Sequence, residues 1–358
     1  MNKVARQKVS NKPLTVSGQD RVYVGLDVHK KSIHVAVWMN GQVVRHWVMA
    51  ANCAGVLAKL EPLRAALRKV VYEAGPTGYG LARLVRAAGL PLDVVAPSKT
   101  PQTSDQSAKS DRLDCFQLAE YSAADLLAAV AIPSEQEEAD RQVLRLRDQG
   151  IGKLRRVKQQ IKSLLLQHGL TEPAGLKNWS AKGVDALAKL VLGNELRFCL
   201  DELLSELGQL QARVRRINDR IEQLARQARH APAVAVLRSH PGVGPVTAMT
   251  FRTELHHPER FTDGNQVGQY FGLAPRVRQS GATRRDGPIS KTGRGHARAM
   301  LVQAAWRWVA RDASAKAVYD RLVHNTGVPQ KAIVAMARRL AIRLWRMTMT
   351  GELCRQAA

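Results

Sequence analysis

Residues 22–48 read VYVGLDVHKKSIHVAVWMNGQVVRHWV: three β-branched and aromatic runs, at 22–28, 33–38 and 43–48, with Asn40-Gly41 between the last two. Asn-Gly is the strongest short hairpin signal, because both residues tolerate the positive φ that a tight primed turn requires. The stretch therefore predicts an antiparallel meander of three strands. Working outward, the pattern continues as a helix around 56–67, a strand at 70–72, a helix around 79–88 and a strand at 92–96. A meander followed by alternating helices and strands predicts an α/β domain over 21–130, a mixed sheet flanked by helices.

On either side the character changes. Residues 1–20, with Lys3, Arg6, Lys8 and Lys12, are polar, basic and without periodicity, and are expected to form a loose tail. Residues 131–232 read as a helical coiled-coil region. Leu196, Leu200, Leu203, Leu207, Leu210, Val214, Ile217, Ile221 and Leu224 follow at alternating spacings of four and three, and Leu154, Val157, Ile161 and Leu164 form a similar stripe earlier. Such a seam serves either an intramolecular helical hairpin or a subunit-assembly arm. Residues 233–358 are expected to form a mainly α domain, glycine-rich and basic at its centre. Trp306 and Trp308 there read as core packing on a helix.

Charge narrows the partner. The 358 residues hold 55 Lys plus Arg against 30 Asp plus Glu, a formal net charge of +25, which suits a polyanion such as nucleic acid. No run of about 20 apolar residues is present to span a bilayer, and no signal-peptide apolar segment opens the chain. The expectation is a soluble, cytoplasmic, nucleoid-associated protein with no membrane partner. Cys53, Cys115, Cys199 and Cys354 are widely spaced and form no Cys-x-x-Cys, which argues against a disulfide scaffold or zinc ribbon.

Within this basic chain, four acids stand out. Asp27 ends the first strand in YVGLDVHKKS, Glu73 ends the fourth in VVYEAGPTGYG, and Asp111 and Asp114 lie in KSDRLDCFQLAEY. The i,i+3 spacing of the last two puts both carboxylates on one face if a helix begins there. Singly, each has an ordinary reading: a turn cap for Asp27, a helix N-terminal acid for Asp111. Together they would repel one another unless a cation neutralised them, and hard carboxylate oxygens suit Mg²⁺ or Mn²⁺. A pair of such ions about 4 Å apart serves phosphodiester chemistry. Lys109 and Arg112 stand nearby, where they suit the phosphates of a substrate.

Two further motifs point to the same polyanion. In LRSHPGVGPVTAMTF, the Pro241-Gly242-Val243-Gly244 turn lies between apolar helical runs, as in a helix-hairpin-helix, where backbone N–H groups at a helix start hold a phosphate; a plain glycine-rich helix connection is the alternative. In GLAPRVRQSGATRRDGPISKTGRGHARAM, Arg276, Arg278, Arg284, Arg285, Lys291, Arg294 and Arg298 face one acid, Asp286, with Gly281, Gly287, Gly293 and Gly295 between them. That composition reads as a basic, flexible loop docking on nucleic acid, with affinity falling steeply with salt.

The acidic positions and their strand order resemble the RNase H-like fold of the Holliday-junction resolvase RuvC. In wording, YVGLDVHKKSIHVAV, YEAGPTGYG and the run from VVAPSKT to KSDRLDCFQLAEY are closer still to the DEDD transposases of insertion sequences. These are the bridge-RNA-guided recombinases of the insertion-sequence one-ten type, relatives of the Piv invertase. The resemblance runs from Val22 to about Arg346 and implies metal ligation by Asp27, Glu73, Asp111 and Asp114. It further implies that a serine of the C-terminal domain attacks DNA, for which the RVRQSG context favours Ser280 over Ser290 in ISKTG. DNA of the element ends and target, a noncoding guide RNA and a homo-oligomer, a tetramer or dimer of dimers, follow as expected partners. Two other functions stay open on the residues alone: a RuvC-like metal-dependent junction nuclease using water, and a non-catalytic nucleic-acid-binding protein.

Overall fold

The computed structural model describes residues 14–101, 111–280 and 283–354, without the side chains of 99, 111–113, 277–280 and 283–286. Two compact units divide at 134/135.

The N-terminal unit opens on β1 (Val22–Val28), β2 (Ser32–Met39) and β3 (Gln42–Ala50), the antiparallel meander. Asn40 and Gly41 take φ of 51° and 92°, as a primed turn demands. Next come α1 (Cys53–Leu60), β4 (Leu67–Glu73), α2 (Gly80–Ala87), β5 (Leu92–Val95), α3 (Asp111–Ala123) and the short β6 (Ala129–Val130). The six strands lie in the order β3-β2-β1-β4-β5-β6, with β1, β4 and β5 parallel.

The helix expected around 56–67 is shorter. The Asn52 side chain caps its start by accepting from the Ala54 and Gly55 amides, and Pro62 turns its end into a 3-10 turn. The apolar spacing of Val56, Leu60, Leu63 and Leu67 runs on past that point, but Leu67 already belongs to β4. Part of the expected tail is also packed: Leu14 and Val16 lie against the core of this unit.

Strand alternation splits the sheet into two faces. Val22, Val24, Leu26, Ile33, Val35, Val37, Val70 and Tyr72 bury against α1 and α2. On the opposite face Ala36, Val71 and Val95 pack under Cys115, Leu118 and Ala119 of α3. Gly25 is what lets α3 come so close: a Cβ there would stand 2.1 Å from the Cys115 carbonyl oxygen and 2.7 Å from the Ala119 nitrogen.

The C-terminal unit is mostly helical. It comprises α4 (Glu135–Gln167), α5 (Ala181–Ala188), α6 (Asn194–Ala225), α7 (Ala231–Arg238), α8 (Pro245–Leu255), α9 (Gly264–Tyr270), the hairpin β7 (Pro275–Ser280) and β8 (Thr283–Ile289), then α10 (Gly295–Arg311), α11 (Ala313–Thr326) and α12 (Pro329–Thr350). The leucine seam of α6 meets α4 of the same chain. Leu200, Leu207 and Leu210 bury with Val157, Ile161 and Leu165, and the contacts of Gly150 with Val214 and Arg147 with Asn218 show that the two helices run antiparallel.

A second core gathers α7, α8, α10 and α12 around Phe251, Phe271, Leu301, Met336, Leu340 and Leu344. Of the tryptophan pair expected in a core, Trp308 is buried and donates to Asp312 Oδ2 at 2.9 Å. Trp306, two residues and so about half a turn away from that face, is 45% exposed and meets Tyr319 edge-on.

Candidate functional site

Asp27 stands two residues after Gly25 and shares its face of the sheet, the α3 face. Glu73 follows Val71 onto the same face by the same alternation. The parallel register Leu26↔Tyr72 brings both acids to one end of the sheet, where β1 and β4 stop. Here α3 begins, with Asp111 and Asp114 in its first turn. Three elements thus bring Asp27, Glu73 and the first turn of α3, which carries Asp114, to one end of one face. The side chain of Asp111 lies outside the described residues, as do Lys109 entirely and the side chain of Arg112.

The electrostatics follow from the same placement. The Cys115 thiol is pushed up to about 12, first by burial and then by the negative charge of Asp27, with Asp114 adding in the same direction. Two carboxylates from different elements therefore bear on one buried sulfur. His29 Nε2 lies 2.9 Å from Asp27 Oδ2, and Thr100 donates its hydroxyl to Glu73 Oε1 at 2.9 Å. Three imidazoles extend the site along the meander: His34, opposite Asp27 across the strands, has ring centroids 6.3 Å from His29 and 5.8 Å from His46, which meets Phe116 of α3 edge-on.

Carboxylate oxygens are the donors that a hard divalent cation takes, and a cation relieves the repulsion of acids placed together. Among the described residues Asp27, Glu73 and Asp114 do not meet at the ligand spacing that Glu137, His256 and His257 reach.

In the C-terminal unit the arginine-rich segment is a β hairpin rather than a plain loop, with Ser280↔Thr283 as its last described pair. Ser280 therefore ends β7; its side chain, with those of Arg278, Arg284 and Arg285, lies outside the described residues. The hairpin base is well tied. Arg276 is exposed and donates to the Ser290 carbonyl at 3.2 Å, and the Ser290 amide donates to Ala274 O at 2.9 Å. Ser290 Oγ lies 3.0 Å from Thr292 Oγ1, a local turn contact.

Lys291 takes φ of 54° beside Gly293 at 74°, where a Cβ would meet Tyr270 O at 2.3 Å. Arg294 is ion-paired with the buried Glu254 at 3.4 Å, and Arg298 donates to the carbonyls of Phe271 and Thr292. Gly242, at φ +85°, backs onto α10: its Cβ would collide with Trp308 N at 2.6 Å and Ala304 O at 2.8 Å. Gly244, the N-cap of α8, has open space where its Cβ would be.

Known proteins share both halves. A DEDD-type IS110 transposase model matches residues 24–169, and a model described as "Transposase IS116/IS110/IS902 family" matches residues 234–320. The putative transposase y4qE of Sinorhizobium fredii (strain NBRC 101917 / NGR234) is 32% identical over 298 residues, covering 82% of this chain and 73% of its own length. This chain belongs to the IS110 family of DEDD transposases. The transposase of insertion sequence element IS1533 from Leptospira borgpetersenii is 25% identical over 331 residues, 90% of this chain and 94% of its own.

As a DEDD transposase it is a DNA-acting enzyme of a class that depends on divalent metal. The family model over 24–169 spans Asp27, Glu73 and α3, and the second spans Gly242, Gly244, Ser280 and the hairpin. Sequence reading passed over His29, His34, His46 and Thr100. A signal existed for two of them, since DVH places an imidazole two residues beyond Asp27 and PSKT follows the strand beside Glu73; His46 approaches only through strand pairing. Among the described residues no helix is long and apolar enough to cross a membrane.

Proposed function

We propose that this transposase cuts and exchanges DNA strands through a serine–DNA intermediate, on an RNase H-like sheet whose Asp27, Glu73, Asp111 and Asp114 hold Mg²⁺ or Mn²⁺. The observation that carries the reading is the delivery of Asp27, Glu73 and the first turn of α3 to one end of one face. A bound divalent cation supplies Lewis-acid stabilisation of the phosphate and lowers the pKa of an oxygen ligand.

The chain's own residues account for the rest. Ser280 Oγ attacks phosphorus, forming a serine phosphodiester as the bond to a deoxyribose oxygen breaks; the proton of Oγ leaves to a base and the departing oxygen takes one up. Re-attack by a strand's hydroxyl restores the serine, so energy in the phosphodiester is conserved and strands are exchanged. Arg276, Arg278, Arg284, Arg285 and Lys291 of the hairpin segment, with the amide at Gly244 and with Lys109 and Arg112, grip phosphates. The acids and the serine come from different units, of one chain or of two, in a homo-oligomeric, tetrameric working form. Target choice is assigned to a structured noncoding RNA of the element, for which the +25 charge is suited as it is for DNA.

Incubation of the protein with element-end DNA and Mg²⁺ tests this. Denaturant-resistant protein–DNA adducts form with the unaltered chain and vanish in Ser280→Ala and in Asp27→Ala. Cleavage that persists in Ser280→Ala while vanishing in Asp27→Ala assigns attack to water and sinks the serine. Sequencing of RNA that copurifies with the protein tests the guide; recovery of no element-derived RNA removes it.

A further inference from the structure

One cluster in the C-terminal unit offers metal ligands that the transposition chemistry does not use. Glu137 lies in the first turn of α4, and His256 and His257 form the turn that follows α8. One ligand atom from each of the three lies within 4.8 Å of the others.

The histidines are set as ligands are. His257 Nδ1 is 2.9 Å from Glu259 Oε1, while its Nε2 faces Glu137 Oε2 at 4.0 Å. A carboxylate on Nδ1 fixes the proton there and leaves the Nε2 lone pair toward Glu137, the arrangement by which outer carboxylates orient metal-binding imidazoles. His256 is 4% exposed, yet its Nδ1 is buried without a hydrogen-bond partner. A buried polar nitrogen left unsatisfied calls for an explanation, and a missing ion is one. The two rings meet edge-on with centroids 4.4 Å apart, on adjacent residues whose φ values are both 36°. Two cations lie nearby: Arg141, which donates to Thr253 O at 3.1 Å and pairs with Glu254, and Arg260, over the Phe261 and Tyr270 rings.

We propose that Glu137, His256 and His257 form a second metal site, for a divalent transition ion of the Zn²⁺ class, tying the start of α4 to the turn after α8. Two imidazoles and one carboxylate favour such an ion over Mg²⁺, which prefers all-oxygen shells, and leave a fourth position for water. The site differs in ligand chemistry from the all-carboxylate strand ends.

The test uses the full chain, stripped by chelator and held in excess Mg²⁺ so that the carboxylate site is filled, with Zn²⁺ titrated against a chromophoric chelator. The expected result is one Zn²⁺ per chain, lost in His257→Ala and in Glu137→Gln, weakened about 10- to 100-fold in Glu259→Gln, and kept in His168→Ala, an exposed histidine elsewhere. His257 and Glu137 are both partly exposed, so these variants spare the core. As a second readout, Zn²⁺ raises the thermal midpoint of the unaltered protein and not of His257→Ala. Zn²⁺ bound as tightly by His257→Ala and Glu137→Gln as by the unaltered chain, or no Zn²⁺ equivalent held at all, overturns the proposal.

Discussion

In the N-terminal unit Asp27 and Glu73 sit at strand ends with a histidine ring and a threonine hydroxyl at 2.9 Å, whereas Asp140, Glu254 and Asp312 of the C-terminal unit are locked into charge-matched or capped positions. Arg229 grips Asp140 with two hydrogen bonds of 2.9 Å, and His230 adds one of 2.8 Å. Burial works against the charge of Asp140, yet Arg229, His230 and Gln136 together hold its carboxyl below the usual range. Glu254, 2% exposed, has Arg145 and Arg294 at 3.4 Å and Arg141 at 3.9 Å. Asp312 caps α11. A carboxylate surrounded by fixed cations and N–H donors holds the fold, and removing it leaves those partners buried and unmatched. In the proposed metal site the carboxylates would instead hold an exchangeable cation, and removing one would cost chemistry.

The sharpest way to break this contrast is to neutralise one acid on each side. In the N-terminal unit Asp27→Asn is expected to lower strand cleavage by ~10³-fold or more, since a metal supplies several kcal/mol of charge stabilisation and each factor of ten is about 1.4 kcal/mol. Its thermal midpoint should stay within about a degree, because the exchange keeps the size of the side chain and an oxygen that can accept from His29. In the C-terminal unit Glu254→Gln is expected to cost roughly 3–5 kcal/mol in denaturant unfolding, because three guanidinium groups lose their buried counter-charge. Should Asp27→Asn unfold the protein, or Glu254→Gln leave its stability unchanged, the division between the two kinds of carboxylate fails.

A smaller effect tests what positions the N-terminal acids. Gly25→Ala places a methyl group within 2.1 Å of the Cys115 carbonyl, so α3 must shift from the sheet. Overpacking of this kind costs about 1–3 kcal/mol, and by moving the first turn of α3 away from Asp27 it should depress cleavage further than its stability loss explains. Gly152→Ala, in α4, where the added methyl meets open space, is the control for a glycine without a close neighbour.

Much of the N-terminal unit was legible because its signals are local. The Asn40-Gly41 turn and the alternation in β1 and β2 fix a meander whatever lies beyond, and Asp27 follows from its place at a strand end. What was not legible depends on distant pairing. That Asp27 and Glu73 share a sheet end requires the parallel register of β1 with β4, which no local pattern states.

The helix read through 56–67 ends early, at Leu60, and was read too long because apolar spacing of three and four continues across Pro62 into a strand. The β7–β8 hairpin was read as a loop because arginine and glycine mask its alternation. The leucine seam left two partners open, and α4 of the same chain covers it. Least visible was the burial of Glu254, since an isolated acid in TFRTELHH gives no sign of guanidinium groups from α4 and from the turn before α10.

The finest contrast concerns a carboxylate that answers to pH without any metal. Asp312 accepts from Ser314 Oγ at 2.6 Å, from the Ala315 amide at 3.0 Å and from Trp308 Nε1 at 2.9 Å. The Ser314 hydroxyl, then the Ala315 amide and the Trp308 indole, outweigh partial burial and bring its pKa from 3.8 to about 2. A carboxylate depressed by folding stabilises the native state above its unfolded pKa and loses that contribution as pH falls through the folded value. Asp312→Ala should therefore cost about 1 kcal/mol, the ordinary worth of an N-cap, and the difference in thermal midpoint from the unaltered protein should be flat above about pH 4 and shrink toward pH 2. Comparing the two proteins at each pH cancels the titration of every other acid. A difference that instead grows as pH falls would mean that Asp312 is stabilised in its protonated form, and the capping role assigned to it would be wrong.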